Sequence, residues 1–426
     1  MSHYSIRDVQ HDKGVLTFIL SGTYENGLDK SLVNAIRRTL LNDIQTVAFD
    51  IENESHKDLT MVTNHSSLHN EMLLHRMSLI PLYVDPSDYF KHHLFEIHVK
   101  HDSNTPYRFI TANDMNIYPL VPELRDRVNL WLSDKSDTQE KKQLDAIFET
   151  TDSTNYQLDK PLTQKEKDNM FRPFSFRGNK HYCLLHELKH TGTDGTYQEL
   201  HCFGSPSVKT AASGANYQSV SQVSYSFVKD EEVIQQTLDF KLKDIAEEDK
   251  ENATQAFMLG ESARYYKRDC QNEPYEYNMI LKSAHYDSSS ELFKRALEVL
   301  MQNCETMKAG FLLLLQDKQS SMIFAQDNDY SYTCTMYQQG HTMGGLLQSH
   351  ISKKCIVNDG IILSCGYKKP HPLEDSIKLF ISLNPAHEIS KDTELHKRQM
   401  VLTFLMEQMD VLMGQCKDIY KLSSNL

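Results

Sequence analysis

The sequence predicts an α+β fold in which one arrangement of strands and helices occurs twice. Segments with alternating apolar and polar residues indicate strands, and segments with apolar residues at steps of three and four indicate helices. In each half of the 426-residue chain these segments follow the order strand, helix, strand, strand, long helix. In the first half, a long segment of weaker periodicity separates the opening elements from the closing ones, so we expect an inserted domain there.

The first copy opens with a buried strand over Val15–Leu20. A helix follows, and Asp29 or Ser31 can cap its N-terminus. The residues from Val47 to Ile51 then alternate as a half-buried strand. The helix between the two strands carries one continuous apolar stripe, formed by Val33, Ile36, Leu40 and Ile44.

After the interruption, the first copy closes with an alternating strand over Tyr275–Leu281 and a long helix that starts at about Ser290. One face of this helix is apolar over most of its length, through Phe293, Ala296, Leu300, Met307, Phe311 and Leu314. An apolar face of that length requires a partner, because a helix gains most of its stability from packing.

The second copy begins with an alternating strand over Tyr330–Met336. The segment GHTMGGLLQSHI follows, where Thr342 can cap a helix. Two further strands occupy Ile361–Tyr367 and Ile377–Leu383. A long C-terminal helix has an apolar stripe formed by Leu402, Leu405, Met409, Leu412, Cys416 and Tyr420. The helix of GHTMGGLLQSHI carries Leu346, Leu347 and Ile351 as its apolar residues.

These elements define the expected domains. The first copy comprises residues 1–55 and 223–315, and the insertion, a mixed α/β or mostly β domain, comprises residues 56–222. A polar linker at 316–321 leads to the second copy at 322–426.

Within the insertion we expect a long loop over Gly204–Gln222, because the segment is rich in small polar residues. The acidic segment Asp230–Glu251 predicts a solvated helix.

Composition and charge exclude several classes of protein. The chain has 39% hydrophobic and 24% charged residues, as a globular protein does, and a formal net charge of −13. Such a charge argues against broad affinity for nucleic acid, so we expect no strong direct DNA binding. The first residues lack the apolar core of a secretory signal, and no apolar run is long enough for a bilayer. Eight scattered cysteines without a CxxC pair fit reduced thiols inside a cell.

Candidate chemistry is confined to one cluster of metal-binding residue types. The motifs GxxxxGK[ST], GxSxG and GxGxxG are absent from the sequence, so we assign no catalytic residue. Zinc sites use such residues at short spacings, but here the alternation also suits a strand. An independent metal-dependent enzyme is therefore the alternative function, with ligands from His181, Cys183, His186, His190, His201 and Cys202.

The first copy resembles the alpha-like subunit of cellular RNA polymerases, which is the alpha subunit of bacteria, its counterpart in archaea and the third subunit of eukaryotic polymerase II. Residues 32–50, LVNAIRRTLLNDIQTVAFD, resemble the first helix and strand of this alpha-like subunit. Residues 64–82, NHSSLHNEMLLHRMSLIPL, are similar to the family pattern N-T-S-x-L-x-D-E-x-x-x-H-R-L-G-L-I-P-L. Two positions differ: Asn70 replaces the acidic residue, and Ser78 replaces the glycine. Arg264–Ser283 resembles the strand before the closing helix.

The second copy resembles the small partner subunit of the same enzymes, which in polymerase II is the eleventh subunit and which has a counterpart in archaea. The segment GHTMGGLLQSHI stands where that family has D-H-T-L-G-N-L-L. The segment CGYKKPHPLEDSIKLFI is close to its G-Y-x-x-P-H-P-L pattern. The resemblance therefore implies two dimerisation domains, each an antiparallel sheet with helices, fused as an intramolecular pseudo-heterodimer, as in large DNA viruses of eukaryotes.

The resemblance also implies a function. The chain is expected to be a non-catalytic assembly platform of a DNA-directed RNA polymerase that binds the two largest subunits and others, without forming homo-oligomers. Val33, Ile36 and Leu40 would pack against the helix of Leu346, Leu347 and Ile351. Arg37 and Arg38 would face outward, and with His75 and Arg76 they are the expected contacts to the large subunits. Arginine suits such contacts because its guanidinium binds carboxylates with two hydrogen bonds.

Two further expectations depend on the resemblance. Relatives carry a four-cysteine zinc loop or an iron–sulfur domain in the insertion, but this segment has only Cys183 and Cys202. We therefore expect no cofactor and no bound metal. The expected location is intracellular: the host cytoplasm and the virion for a viral enzyme, and the nucleus otherwise.

Overall fold

The computed structural model describes residues 3–52, 58–87, 89–101, 105–122, 125, 160–190, 197–243, 245–356, 360–387 and 392–426. Residues 133–169 are rich in Asp, Lys, Gln and Thr, which predicts solvated loops or a weak helix, and most of this segment lies outside the described residues. The predicted α+β class is confirmed, because antiparallel sheets and helices make up the described chain. It forms two compact units: unit 1 is Met1–Asp43, Val220–Ser283 and Ser288–Leu426, and unit 2 is Ile44–Ser219 and Ala284–Asp287.

The described strands and helices are numbered in chain order. The strands are β1 Ser5–Asp12, β2 Val15–Ser21, β3 Gln45–Ala48, β4 Leu59–Asn64, β5 His93–Lys100, β6 Tyr107–Thr111, β7 Asn116–Pro119, β8 Phe174–Phe176, β9 Asn179–His181, β10 Leu184–Lys189, β11 Glu199–Gly204, β12 Ser207–Thr210, β13 Val220–Phe227, β14 Glu276–Ser283, β15 Met322–Asn328, β16 Ser331–Tyr337, β17 Ile362–Lys368 and β18 Ser376–Leu383. The helices are α1 Lys30–Asn42, α2 Asn70–Ser78, α3 Gln164–Phe171, α4 Glu231–Leu242, α5 Lys250–Gly260, α6 Ser289–Leu315, α7 His341–His350 and α8 Glu394–Leu422.

Unit 1 contains two four-stranded antiparallel sheets with the same strand order. The N-terminal sheet has the order β1-β2-β14-β13, and the C-terminal sheet has the order β15-β16-β18-β17. In each sheet a hairpin comes first, a short helix follows (α1 or α7), two more strands complete the sheet, and a long helix ends the series (α6 or α8). The predicted series of strand, helix, strand, strand and long helix therefore lacks the first strand of each hairpin, and in the first copy it counts β3 in place of β13.

The missed first strands have a common physical cause. Strands β1 and β15 lie at the edges of their sheets, and most of their residues are exposed. An edge strand that is exposed on most of its length needs no alternation of apolar residues, and so it leaves no periodic signal.

Strand β13 corrects the prediction of a loop over Gly204–Gln222. It pairs with β14 and buries Val220 and Val223, although serines fill much of its sequence. The same predicted loop also contains β12. Small polar residues predicted a loop there because composition alone does not show which backbone groups pair with a distant strand.

Capping explains where the helices of unit 1 begin. The side chain of Ser288 accepts a hydrogen bond from the Glu291 N–H at the start of α6, close to the predicted start. Asp29 caps α1, as predicted, by accepting from the Ser31 N–H. Thr342 was predicted to cap α7, and this is wrong: the cap residue is Gly340, and Thr342 lies within the first turn.

The first segment of unit 1 ends at Asp43, whereas the predicted domain boundary was residue 55. Strand β3 was predicted as the strand over Val47–Ile51, and it pairs with β12 in unit 2 instead of joining the N-terminal sheet. The second boundary falls at Val220, close to the predicted residue 223. The predicted second copy, 322–426, belongs to the same compact unit as the N-terminal sheet.

Unit 2 is mostly β in its described part. Its four-stranded sheet has the order β4-β11-β5-β7, and three two-stranded ladders accompany it. Its apolar core includes Leu73 and Met77 of α2 and Ile80 just after it. Met72 of the same helix is 59% exposed. Within the described residues, no helix combines the length and the apolar composition needed to cross a membrane.

Candidate assembly interface

Helix α1 packs against α6 and also against α7, the short helix that belongs to the C-terminal sheet. Its apolar stripe is fully buried at Val33, Ile36 and Leu40. Leu346 and Leu347 of α7 are buried as well, and so is Ile351 in the turn that follows. The apolar residues that the sequence assigned to packing between the two copies therefore lie in the interior of unit 1.

The apolar contact between α1 and α7 is called the α1–α7 seam. Asp29 adds polar contacts between the same two helices at the edge of this seam. Besides capping α1, its carboxylate accepts a hydrogen bond from the Ser349 hydroxyl over 2.7 Å. Lys353 Nζ lies 3.3 Å from the other carboxylate oxygen, and it is also 3.6 Å from Glu273. One side chain at the start of α1 thus contacts two residues beyond the linker.

The protonation behaviour of Asp29 reflects these contacts. Burial acts to raise the pKa of its carboxyl, but the hydrogen bonds from the Ser31 N–H and the Ser349 hydroxyl and the charge of Lys353 outweigh burial. The pKa of Asp29 therefore lies below its ordinary value. The carboxylate remains ionised at neutral pH, as a cap and an ion-pair partner must be.

Arg38 makes a polar contact with α7, whereas the resemblance implied that its side chain would face outward. Its Nε donates a hydrogen bond to the hydroxyl of Thr342 in α7 over 2.9 Å, and the residue is half-buried. Arg37 is also half-buried, but its Nε donates to Asn34 on its own helix over 3.0 Å. The two adjacent arginines therefore have different surroundings, because residues one position apart on a helix point in different directions.

The long helices α6 and α8 form the second seam and pack against each other. Buried residues from both helices fill it, among them Cys304, Met307, Leu405, Met409, Leu412 and Cys416. At its exposed margin Lys308 Nζ lies 2.7 Å from Asp410, and the Tyr420 hydroxyl donates to Glu298 over 2.8 Å. Burial raises the pKa of both thiols, Cys304 and Cys416, to about 12.

His75 and Arg76, the other predicted contacts to the large subunits, lie on α2 in unit 2. Both are exposed. The Arg76 guanidinium reaches the Leu184 carbonyl oxygen at 3.4 Å, a long contact that leaves most of its donors directed elsewhere. Their exposure is compatible with contact to another chain.

The predicted cluster of histidines and cysteines does not form a metal site. His186 lies on β10, which pairs with β6, whereas His201 and Cys202 lie on β11 in the four-stranded sheet. His181, Cys183 and His190 are not buried with them. Among the residues that the structure describes, these six do not come together as a group of metal ligands.

The assignment of no catalytic motif is incomplete, because residues 186–190, HELKH, have the spacing H-E-x-x-H. This spacing binds zinc when both histidines lie on one face of a helix. Here the residues lie on and just after β10, His186 is buried, and His190 is exposed. The strand places the two histidines differently from a helix, so the motif has no functional geometry.

A different group of three side chains meets the distance requirement for a metal. Glu96, His98 and His201 each offer one ligand atom, and these atoms lie within 4.8 Å of one another. The sequence pointed only to His201. The signal for the other two is the alternation of polar and apolar residues in FEIHVK, residues 95–100, but the pairing of β5 with β11 is not visible in the sequence.

The fold and the two helical seams define a class of protein: an α+β module in which packed helices accompany two four-stranded antiparallel sheets, with no catalytic arrangement found among its described residues. The comparison with protein families gives the particular family. The model of the RNA polymerase Rpb3/Rpb11 dimerisation domain matches residues 23–304. The chain belongs to this family of RNA polymerase subunits.

A known protein is similar to part of the chain. The "DNA-directed RNA polymerases I and III subunit rpac1" of Dictyostelium discoideum is 30% identical over 94 residues. The matched region is 22% of this chain and 22% of that protein. The chain thus matches about a fifth of the length of this relative.

Proposed function

We propose that the chain is a non-catalytic assembly platform of a DNA-directed RNA polymerase, in which two family-type dimerisation domains are fused into an intramolecular pseudo-heterodimer. The first domain would comprise the N-terminal sheet with α1 and α6, and the second would comprise residues 322–426. The observation that carries the proposal is the repeated strand order of the two sheets together with the pairing of α1 with α7 and of α6 with α8. The family match to residues 23–304 supports the first domain.

Fusion favours pairing for a physical reason. The linker between α6 and β15 has only residues 316–321, and they are mostly exposed. A short linker holds two partners at an effective concentration of about 1 mM, so that pairing no longer depends on the concentration of a second chain. The platform would therefore be present as soon as the chain has folded.

The proposed partners are the two largest polymerase subunits. Arg37, whose Nε bonds only within α1, and the exposed His75 and Arg76 are the residues proposed to contact them. Cationic side chains suit acidic surfaces on such partners, while the net charge of −13 disfavours strong binding of DNA. The resemblance to subunit fusions of large DNA viruses supports a viral enzyme, for which the host cytoplasm and the virion are the proposed locations.

The alternative function, an enzyme that uses the cluster at residues 181–202, loses its support. Its proposed ligands are distributed over separate strands and the exposed surface.

Co-expression with the two largest subunits tests the proposal. A tagged wild-type chain should recover both of them in a pull-down experiment. Leu40→Asp should abolish recovery, because it places a charge without a partner in the seam between α1 and α7. Leu395→Asp is the matched control, since Leu395 is 60% exposed in the first turn of α8, and this variant should recover both subunits.

Two results would contradict the platform. One is a wild-type chain that folds but recovers neither large subunit. The other is a Leu40→Asp chain that recovers both normally. The arginine is tested in the same assay: Arg37→Ala should weaken recovery by about tenfold or more if Arg37 is a central contact.

A further inference from the structure

The four-stranded sheet of unit 2 has one apolar face and one polar face. On β5, Phe95, Ile97 and Val99 are buried in the apolar core. Glu96 and His98 point to the opposite face, since successive side chains of a strand alternate. On β11, His201 shares this polar face because it is the direct antiparallel partner of His98.

The side chains on this polar face converge. The rings of His98 and His201 stack with their centroids 4.4 Å apart and their planes inclined by 21°. His201 Nε2 lies 3.3 Å from the nearer carboxylate oxygen of Glu96. All three side chains therefore offer a donor atom to one small volume beside the sheet, within 4.8 Å of one another.

We propose that Glu96, His98 and His201 bind a divalent transition-metal ion, and that zinc is the ion whose chemistry fits best. Two imidazoles and one carboxylate form a ligand set that zinc uses, with metal–ligand bonds of about 2.1 Å. In a tetrahedron with such bonds, neighbouring ligand atoms are about 3.4 Å apart, close to the 3.3 Å between His201 and Glu96.

The surroundings of His201 Nε2 also support a ligand. His201 Nε2 is buried but makes no well-directed hydrogen bond, although a buried ring nitrogen normally has one.

Glu199 gives the site a supporting carboxylate. Its carboxylate oxygen lies 2.8 Å from His98 Nε2, and carboxylates commonly orient the histidines that bind metals. The side chain of His98 is 50% exposed, whereas those of His201 and Glu96 are 16% and 13% exposed. A metal at this position would face solvent on one side, where water completes its coordination. The proposal departs from the sequence-based expectation of no metal, and it is independent of the polymerase assignment.

Metal titration of the full-length chain tests the site. The purified protein is stripped with a chelator, and zinc chloride is added in a calorimeter. Cobalt(II) is then added to a second sample, because tetrahedral cobalt absorbs visible light. We expect one zinc ion per chain, a cobalt spectrum that zinc abolishes, and a higher Tm in the presence of zinc.

Variants assign the binding to these residues. His98→Ala and His201→Ala should each abolish saturable zinc binding, and Glu199→Gln should weaken it by about 10- to 100-fold. The matched control is the double variant His181→Ala and Cys183→Ser, which removes two exposed candidate ligands elsewhere in unit 2 and should bind like the wild type.

The proposal is overturned by any of three results: no saturable zinc binding by the wild type, unchanged binding in His98→Ala, or loss of binding in the control variant. If His201→Ala fails to fold, the zinc binding of His98→Ala decides the question. The His98 side chain is half-exposed, so its removal leaves the core of unit 2 intact. Circular dichroism verifies the fold of each variant.

Discussion

Asp29 shows how a single residue connects the elements of unit 1. Its carboxylate caps α1, accepts from Ser349 and pairs with Lys353. We expect Asp29→Ala to lower the free energy of unfolding by about 2 kcal/mol, because a cap and two further contacts are lost together. Urea denaturation measures this change. Asp249→Ala is the matched control, since Asp249 occupies the cap position of α5 without a capping hydrogen bond. A loss of the same size in both variants would contradict this role.

The same residue predicts a dependence on pH. Since its pKa in the folded chain is below the ordinary value, its contribution is complete above the unfolded-state pKa of about 3.9. The contribution is lost as the pH falls through the lower folded value. The wild type should therefore lose stability in acid more steeply than Asp29→Asn, as measured by denaturation over a pH series. Parallel curves for the two proteins would show that Asp29 does not titrate in this way.

Arg37 and Arg38 should differ in what they stabilise. Arg38→Ala removes the hydrogen bond to Thr342 and should cost about 1 to 2 kcal/mol of unfolding free energy. Arg37→Ala removes a contact within α1 and should change stability by less than about 0.5 kcal/mol. A double-mutant cycle of Arg38→Ala with Thr342→Val measures the coupling, which we expect to be about 1 kcal/mol. A coupling near zero would show that the hydrogen bond contributes nothing.

At the residue scale, the sequence predicted apolar burial better than polar contact. The stripe of Val33, Ile36 and Leu40 was predictable from its spacing because it repeats with the period of the helix. The partner of Arg38 was not, since Thr342 comes from a distant segment and was itself expected to cap α7. Polar contacts between segments depend on tertiary packing, which leaves no periodic trace in a sequence.

At the scale of elements, the long helices were predictable because each buries a continuous face. Helix α6 begins at Ser289, next to its predicted start at about Ser290, and all the apolar residues assigned to its face are buried. Strands β1, β13 and β15 were missed because they are exposed or rich in serine. These segments are strands because they form hydrogen bonds with a neighbouring strand, and their own sequences show no alternation of apolar residues.

The seam between α6 and α8 can be tested by the reactivity of its cysteines. Cys304 and Cys416 are buried, and the pKa of each thiol is raised to about 12, so the reactive thiolate is nearly absent at mildly alkaline pH. We expect iodoacetamide to label the exposed Cys270 rapidly in the native chain. Cys304 and Cys416 should be labelled only in denaturant, as peptide mass spectrometry will show. Rapid labelling of either one in the native protein would mean that the seam is open.

At the scale of the whole molecule, the sequence revealed the repeated order of elements and the existence of an insertion. It did not reveal where the units separate, because β3 looks like a continuation of the first copy and pairs instead with β12. It also did not reveal the group of Glu96, His98 and His201, since a strand pairing between distant segments brings these residues together. Such long-range pairings depend on the folded chain as a whole.

The central claim is that one chain pairs two domains as two separate polypeptides would. Co-expression of residues 1–317 and 318–426 as two polypeptides tests it most directly, because the division falls in the exposed turn after α6. We predict a soluble one-to-one complex that copurifies, and Leu40→Asp in the first polypeptide should disrupt it. If the two polypeptides fold but elute separately, or if the complex survives Leu40→Asp unchanged, the pairing of α1 with α7 is not what holds the chain together.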